Sequence, residues 1–179
     1  MAQLSCGIIG LPNAGKSTLI ARLSNARPKI APYPFTTLAP HLGVMECADG
    51  ERLILADIPG LIEGAHEGRG LGFDFLRHVE RTKMLLHVVD CSGFPPFEDP
   101  VQAYETVRLE LKCYGHGLER VPAIVIANKM DIPQARNGRR ALEKHLGKKV
   151  CAVSGATGAG LNKLSTALLQ AYQNMDDAR

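Results

Sequence analysis

The chain has 179 residues, 45% of them hydrophobic and 22% charged, with a formal net charge of +3. This length and composition fit one domain with a core of its own, spanning 1–179, and a charge this mild does not by itself indicate nucleic acid. The longest apolar runs, MLLHVV and AIVIA, are too short to cross a bilayer, which excludes a membrane-spanning helix.

Taken in chain order, the first element is the short apolar strand LSCGIIG, and as it begins almost at Met1 no targeting peptide is expected ahead of it. It runs into GLPNAGKST, residues 10–18, where Gly10, Gly15, Lys16 and Ser17 fit the phosphate-loop spacing G-x-x-x-x-G-K-[ST]. Chemistry explains the spacing. Glycines let backbone N–H groups turn inward around a diphosphate, with Leu11, Pro12, Asn13 and Ala14 forming the span between them. Lys16 is placed to reach the β- and γ-phosphates, and the Ser17 hydroxyl to ligate Mg²⁺. Thr18 and the helical pattern LIARLSN follow, so the positive end of a helix dipole faces the phosphates.

An irregular stretch, ARPKIAPYPFTTLAP, comes next. The strands HLGVMEC and RLILADI are then joined by ADGE, a connection so short that it permits only an antiparallel hairpin. DIPG, formed by Asp57, Ile58, Pro59 and Gly60, ends the second of these strands, where open α/β sheets bind ligands. Asp57 is expected to hold Mg²⁺ through water, and the Gly60 N–H to meet a γ-phosphate. A second long loop, GLIEGAHEGRGLG, leads into the helical pattern FDFLRHVER. Long loops in compact domains are usually functional, but Glu63, His66 and Glu67 within it are more simply solvated than catalytic.

The strand MLLHVVD, the rigid loop FPPFEDP and the helix ETVRLELKCYG precede the strand AIVIANK. NKMD, residues Asn128, Lys129, Met130 and Asp131, closes that strand. A carboxylate at Asp131 accepts from both guanine N1–H and the N2 amino group, donors that adenine lacks. Asn128 is expected to contact the base edge and tie neighbouring loops together, and the Lys129 stem to cover one ring face. A helix RRALEKHLG and the strand VCAVS lead to SGA, where Ser154, Gly155 and Ala156 offer backbone N–H groups to guanine O6. LNKLSTALLQAY is the last helix. Strands alternating with helices imply a mostly parallel sheet covered on both faces. Five scattered cysteines suit buried packing in a reducing cytoplasm and not zinc or disulfides.

GLPNAGKST, YPFTTL, DIPGLIEGAHEGRGLGFDFLRHVERT, NKMD and SGA together resemble the GTPase domain of the Obg family along nearly the whole chain. Residues 57–82 are the most specific part, with a glycine-rich switch followed by FLRHVERT that separates Obg-like from Ras-like or Era-like relatives. The resemblance implies a six-stranded GTPase sheet with one antiparallel strand, slow Mg²⁺-dependent hydrolysis of GTP to GDP, and association with the large ribosomal subunit. A role in assembling that subunit, or in coupling it to growth and stress, goes with it. It makes Phe35, Thr36, Thr37, Leu38 and Ala39 the first switch, with Thr37 or Thr36 the Mg²⁺ ligand. It sets Lys16, Asn13, Thr37 and Gly60 around the reacting phosphate. Two departures stand out: no glycine-rich amino-terminal domain precedes the GTPase motifs, so an excised, monomeric domain is expected, and Gly155 replaces the usual alanine.

Many GTPases orient the attacking water with a glutamine after D-x-x-G, whereas this chain has Leu61, which neither donates nor accepts. Asn13 offers a neutral oxygen beside the β- and γ-phosphates, and its P-N-x-G-K-S setting resembles that of potassium-activated GTPases in which this asparagine ligates K⁺. The competing reading is that Asn13 only favours the turn. Residues 136–149 carry six cations against the single acid Glu143, either a solvated helix face or an RNA-facing edge. A P-loop ATPase and a nucleotide-binding module with incidental chemistry are the competing functions, the first opposed by Asp131.

Overall fold

The computed structural model describes residues 5–24, 29–30, 41–46, 50, 52–58, 80 and 82–177. Its strands are β1 (Cys6–Ile9), β2 (Lys29–Ile30), β3 (His41–Glu46), β4 (Arg52–Asp57), β5 (Met84–Asp90), β6 (Ala123–Asn128) and β7 (Cys151–Ala152). The helices described are α1 (Lys16–Leu23), α2 (Pro100–Tyr114), α3 (Ala135–Leu146) and α4 (Leu161–Asp177). One sheet holds all the strands in the order β2-β3-β4-β1-β5-β6-β7. The six strands expected from sequence are all present, and β3 runs antiparallel to its neighbours while β4, β1, β5, β6 and β7 are parallel. A seventh strand, the two-residue β2, pairs at the edge within sequence read as irregular.

The strand β5 shows why helices lie on both faces. Leu85 and Val89 pack into a cluster with Val107 and Leu111 of α2 and Leu142 of α3. Met84, Leu86 and Val88 point the other way, toward Leu19 and Ile20 of α1 and Leu164 and Leu168 of α4. A strand buried on both sides reads as a continuous apolar run because neither set of alternate residues meets water. His87 interrupts that run while remaining 1% exposed, and stacks on Tyr104 of α2 with ring centroids 4.9 Å apart.

Helix α1 is fixed at both ends. At its carboxyl end the Val44 N–H donates to Ser24 Oγ at 3.0 Å, tying the helix to β3. Gly43 lets that strand approach, since a Cβ there would fall 2.8 Å from the Ile20 side chain. Among the described cysteines Cys6 and Cys91 are buried, Cys151 is half-buried, and all are free thiols. Cys113 is exposed on α2, which corrects the expectation of uniformly buried thiols. The helix expected over 73–81 lies outside the described residues except for Glu80, which is helical.

Candidate functional site

Four of the parallel strands deliver candidate residues to the same carboxyl edge of the sheet, and a fifth leads there directly. β1 leads into the loop 10–15, β4 ends at Asp57, β5 at Asp90 and β6 at Asn128, while Ser154 follows β7 by two residues. The loop needs its glycines for different reasons. A Cβ at Gly10 would sit 2.5 Å from the Val88 carbonyl oxygen. At Gly15 the backbone is left-handed, with φ at 97°, and a Cβ would collide with the Asn128 amide. Asn13 is also left-handed, at φ 63°, a conformation that asparagine tolerates better than most residues.

Gly15 caps α1 with no side-chain hydrogen bond, and no acid occupies the helix's first turn. The Lys16 ammonium arches back over the loop, donating to the carbonyls of Gly10 at 3.0 Å and Leu11 at 3.2 Å. The Ser17 hydroxyl donates to Asp57 Oδ2 at 3.3 Å. Asp57 is 6% exposed, and its Oδ1 is buried without a hydrogen-bond partner among the described residues. Burial pushes its carboxyl above the ordinary value, against the opposing pull of Lys16, His41 and Ser17. A buried carboxylate oxygen with no donor, next to a hydroxyl, is the donor set a hard divalent cation takes, so these residues fit Mg²⁺.

Asn128 joins two loops. Its Nδ2 donates to the Ala14 carbonyl at 2.8 Å, and its Oδ1 accepts from the Gly155 N–H at 3.1 Å. This is the tie expected from sequence. The Ser154 hydroxyl donates to Asp131 Oδ1 at 2.6 Å and accepts from the Thr157 N–H at 3.1 Å, so it orients the carboxylate. The Met130 N–H reaches the Val153 carbonyl at 3.1 Å, which locks NKMD to the SGA segment. Gly155 is not left-handed, and a Cβ there would lie 3.3 Å from Thr18 Cγ2, so the usual alanine needs only a small adjustment.

Two participants were missed in the sequence. Asp90 pairs with the Lys129 ammonium at 2.6 Å and accepts from the Ser92 N–H at 2.8 Å, holding a lysine whose own φ is 62°. Its signal was available: like Asp57, it is an acid at the carboxyl end of a parallel strand. Arg22 on α1 donates to the Ala156 carbonyl at 2.6 Å, and no motif marks it. Phe35, Thr36, Thr37, Leu38, Ala39, Pro59 and Gly60 lie outside the described residues, as does Leu61.

A phosphate loop opening a helix, an acid across from its serine and a guanine-type N-K-x-D clasped to the same loop define the class of P-loop GTPase domains. The family model described as 50S ribosome-binding GTPase matches residues 5–129, and the chain belongs to that family. The resemblance to Obg GTPases is borne out by curated relatives. The chain is 52% identical over 174 residues to GTPase Obg of Aquifex aeolicus, covering 96% of this chain and 50% of that protein. Against GTPase Obg of Desulforudis audaxviator it is 55% identical over 160 residues, covering 88% of this chain and 37% of the relative. The chain thus spans half or less of the length of these relatives. The fold is also that of the G domain of the T. maritima FeoB iron transporter, with a TM-score of 0.66, 23% identity and coverage of 96% of this chain and 99% of that one. The cytosolic domain of L. pneumophila FeoB gives a TM-score of 0.66 at 24% identity, covering 93% of this chain and 67% of that one. No helix among the described residues is long and apolar enough to cross a membrane.

Proposed function

We propose that this domain is a guanine-nucleotide switch that binds GTP and GDP with Mg²⁺ and slowly hydrolyses GTP. In this reading it works as a monomer in the cytoplasm, in assembling the large ribosomal subunit or coupling it to growth and stress. The observation that carries the nucleotide reading is the double clasp of Asn128, which makes the phosphate loop and the guanine segment one site. The ribosomal part rests on family membership.

The loop N–H groups from Asn13 to Thr18 and the Lys16 ammonium hold the phosphates. Ser17 and Asp57 would hold the metal, with Thr37, or alternatively Thr36, as a further ligand in the GTP state. Mg²⁺, when bound, neutralises charge on the β- and γ-phosphate oxygens. Gly60 offers its N–H to the γ-phosphate. Asp131 reads guanine N1 and N2, held in register by Ser154. Lys129, held by Asp90, covers the base. With leucine after Gly60, no side chain there orients water. Charge between the phosphates would instead be offset by Lys16 and, if the Asn13 oxygen held it, by K⁺.

Asp131→Asn tests the assignment. One charge-assisted bond is lost and an N–H₂ group is set against guanine's donors, so GTP is expected to weaken by more than ~3 kcal/mol. Xanthine nucleotides should gain relative to GTP in the same fluorescent-nucleotide titration. Unchanged GTP affinity, or ATP competing as well as GTP, overturns the guanine reading. Absence of multiple-turnover phosphate release would leave a binding module without enzymatic function.

A further inference from the structure

Positive charge on this chain is concentrated. Residues 136–149 hold six cations and one acid, a net +5 in a chain whose total is +3, so the remainder is net −2. On α3, Arg136, Arg140 and Lys144 recur every fourth residue and are all exposed. That spacing stacks them along one stripe, about 6 Å apart along the axis. Past the left-handed Gly147, exposed Lys148 and Lys149 extend it.

The single acid does not neutralise the stripe. Glu143 accepts from the Val150 N–H at 3.0 Å and from Arg139 Nε at 3.0 Å, with Lys149 at 3.4 Å, and its side chain is 12% exposed. Its role is to anchor the end of α3 to the chain entering β7. Arg136, Arg140, Lys144 and Lys148 have no carboxylate partner among the described residues. Four neighbouring cations without a carboxylate partner among the described residues repel one another, a cost that a bound polyanion removes.

We propose that the exposed face of α3, with the turn after it, docks the phosphate backbone of double-helical RNA. Three observations choose this occupant. The large apolar side chains exposed among the described residues, Phe94 and Leu109, both lie off this face, so it has nothing to insert into a lipid surface. The one ring on the helix, His145, is held by Glu105 at 2.6 Å, so α3 offers no free aromatic ring on which single-stranded bases could stack. What remains is a row of cations at regular spacing, which recognises backbone charge and helical shape, not sequence. The inference deepens the ribosomal reading and rests on it for the source of the RNA.

The test is fluorescence anisotropy of a labelled RNA hairpin of about two helical turns, titrated with the full chain between 50 and 200 mM KCl. Binding should be micromolar at the low-salt end, and log K should fall with log salt at a slope near −4, about 0.9 per cation engaged. The variant Arg140→Glu/Lys144→Glu should bind more than tenfold more weakly with a slope shallower by about 2, and its fluorescent-GDP affinity should be unchanged. Equal RNA binding by that variant overturns the proposal, as does tighter binding to vesicles containing 30% phosphatidylserine than to the hairpin. Cosedimentation with large ribosomal subunits separates the two readings. Subunit binding in the GTP state that survives the double reversal rejects this surface and spares the proposed function. No subunit binding by wild type, with charge-dependent hairpin binding intact, rejects the ribosomal partner and supports the surface.

Discussion

Asn13 holds a left-handed backbone at φ 63° and is exposed. The turn reading has a physical basis in this backbone, which asparagine tolerates, and the cation reading in the neutral oxygen that the amide carries. An alanine substitution would confuse them, because it strains the turn while deleting the oxygen. Asn13→Gly keeps the turn and removes only the ligand. Turnover of GTP by the wild type is expected to be faster in K⁺ than in Na⁺ at equal ionic strength. That difference should disappear in Asn13→Gly while GDP affinity stays within a few-fold. Equal single-turnover rates of the wild type in the two salts would reject the cation site. At this scale the sequence was most readable where chemistry fixes both residue type and spacing, as in Lys16, Ser17 and Asp131. Asp90 and Arg22 escaped because their partners, Lys129 and the Ala156 carbonyl, become neighbours only when separate strands and helices assemble.

At the level of elements, hydrophobic periodicity located every described strand except β2. Two residues are too few to show a period, and only pairing with β3 defines them. Helix α2 begins at Pro100, five residues before the expected pattern, because Asp99 accepts from the Val101 N–H at 2.8 Å and Pro100 occupies the first turn. FPPFEDP thus contained a helix start that its prolines concealed. The packing of β5 against α2 has a pH-dependent weakness at His87. Burial lowers its imidazole to about 3, the Arg108 charge adds to the shift, and neither ring nitrogen has a partner among the described residues. The folded state keeps the ring neutral, whereas the unfolded chain protonates near 6.5, so stability falls as pH drops below that value and levels off near 3. Between pH 7 and pH 5 this group alone should remove about 2 kcal/mol. His87→Phe, which preserves the stack on Tyr104, should remove that part of the pH dependence in urea unfolding. An unchanged profile would place the acid sensitivity elsewhere.

At the scale of the whole molecule, two apolar layers stabilise the fold, and electrostatic costs arise where polar or charged groups among the described residues are buried without partners. Asp57 carries the clearest of these. Burial pushes its carboxyl toward the neutral form, and one oxygen is unpartnered among the described residues. In the ligand-free protein at neutral pH such a carboxylate lowers stability, and a bound cation with its nucleotide reverses that cost. Asp57→Asn removes the charge and still offers an oxygen to the Ser17 hydroxyl. Its ligand-free form should melt higher than wild type by about 2–4 °C, the shift that ~1 kcal/mol produces in a chain of this size. The ligand response should change in the opposite direction. Wild type with Mg²⁺ and GDP at a hundred times its Kd should gain about 2.7 kcal/mol. The variant should gain much less at the same concentrations, and what it does gain should no longer depend on Mg²⁺. Thermal melts with and without EDTA measure both effects. A ligand-free Asp57→Asn that melts lower than wild type would mean that the carboxylate supports the fold, and the metal would no longer account for its burial.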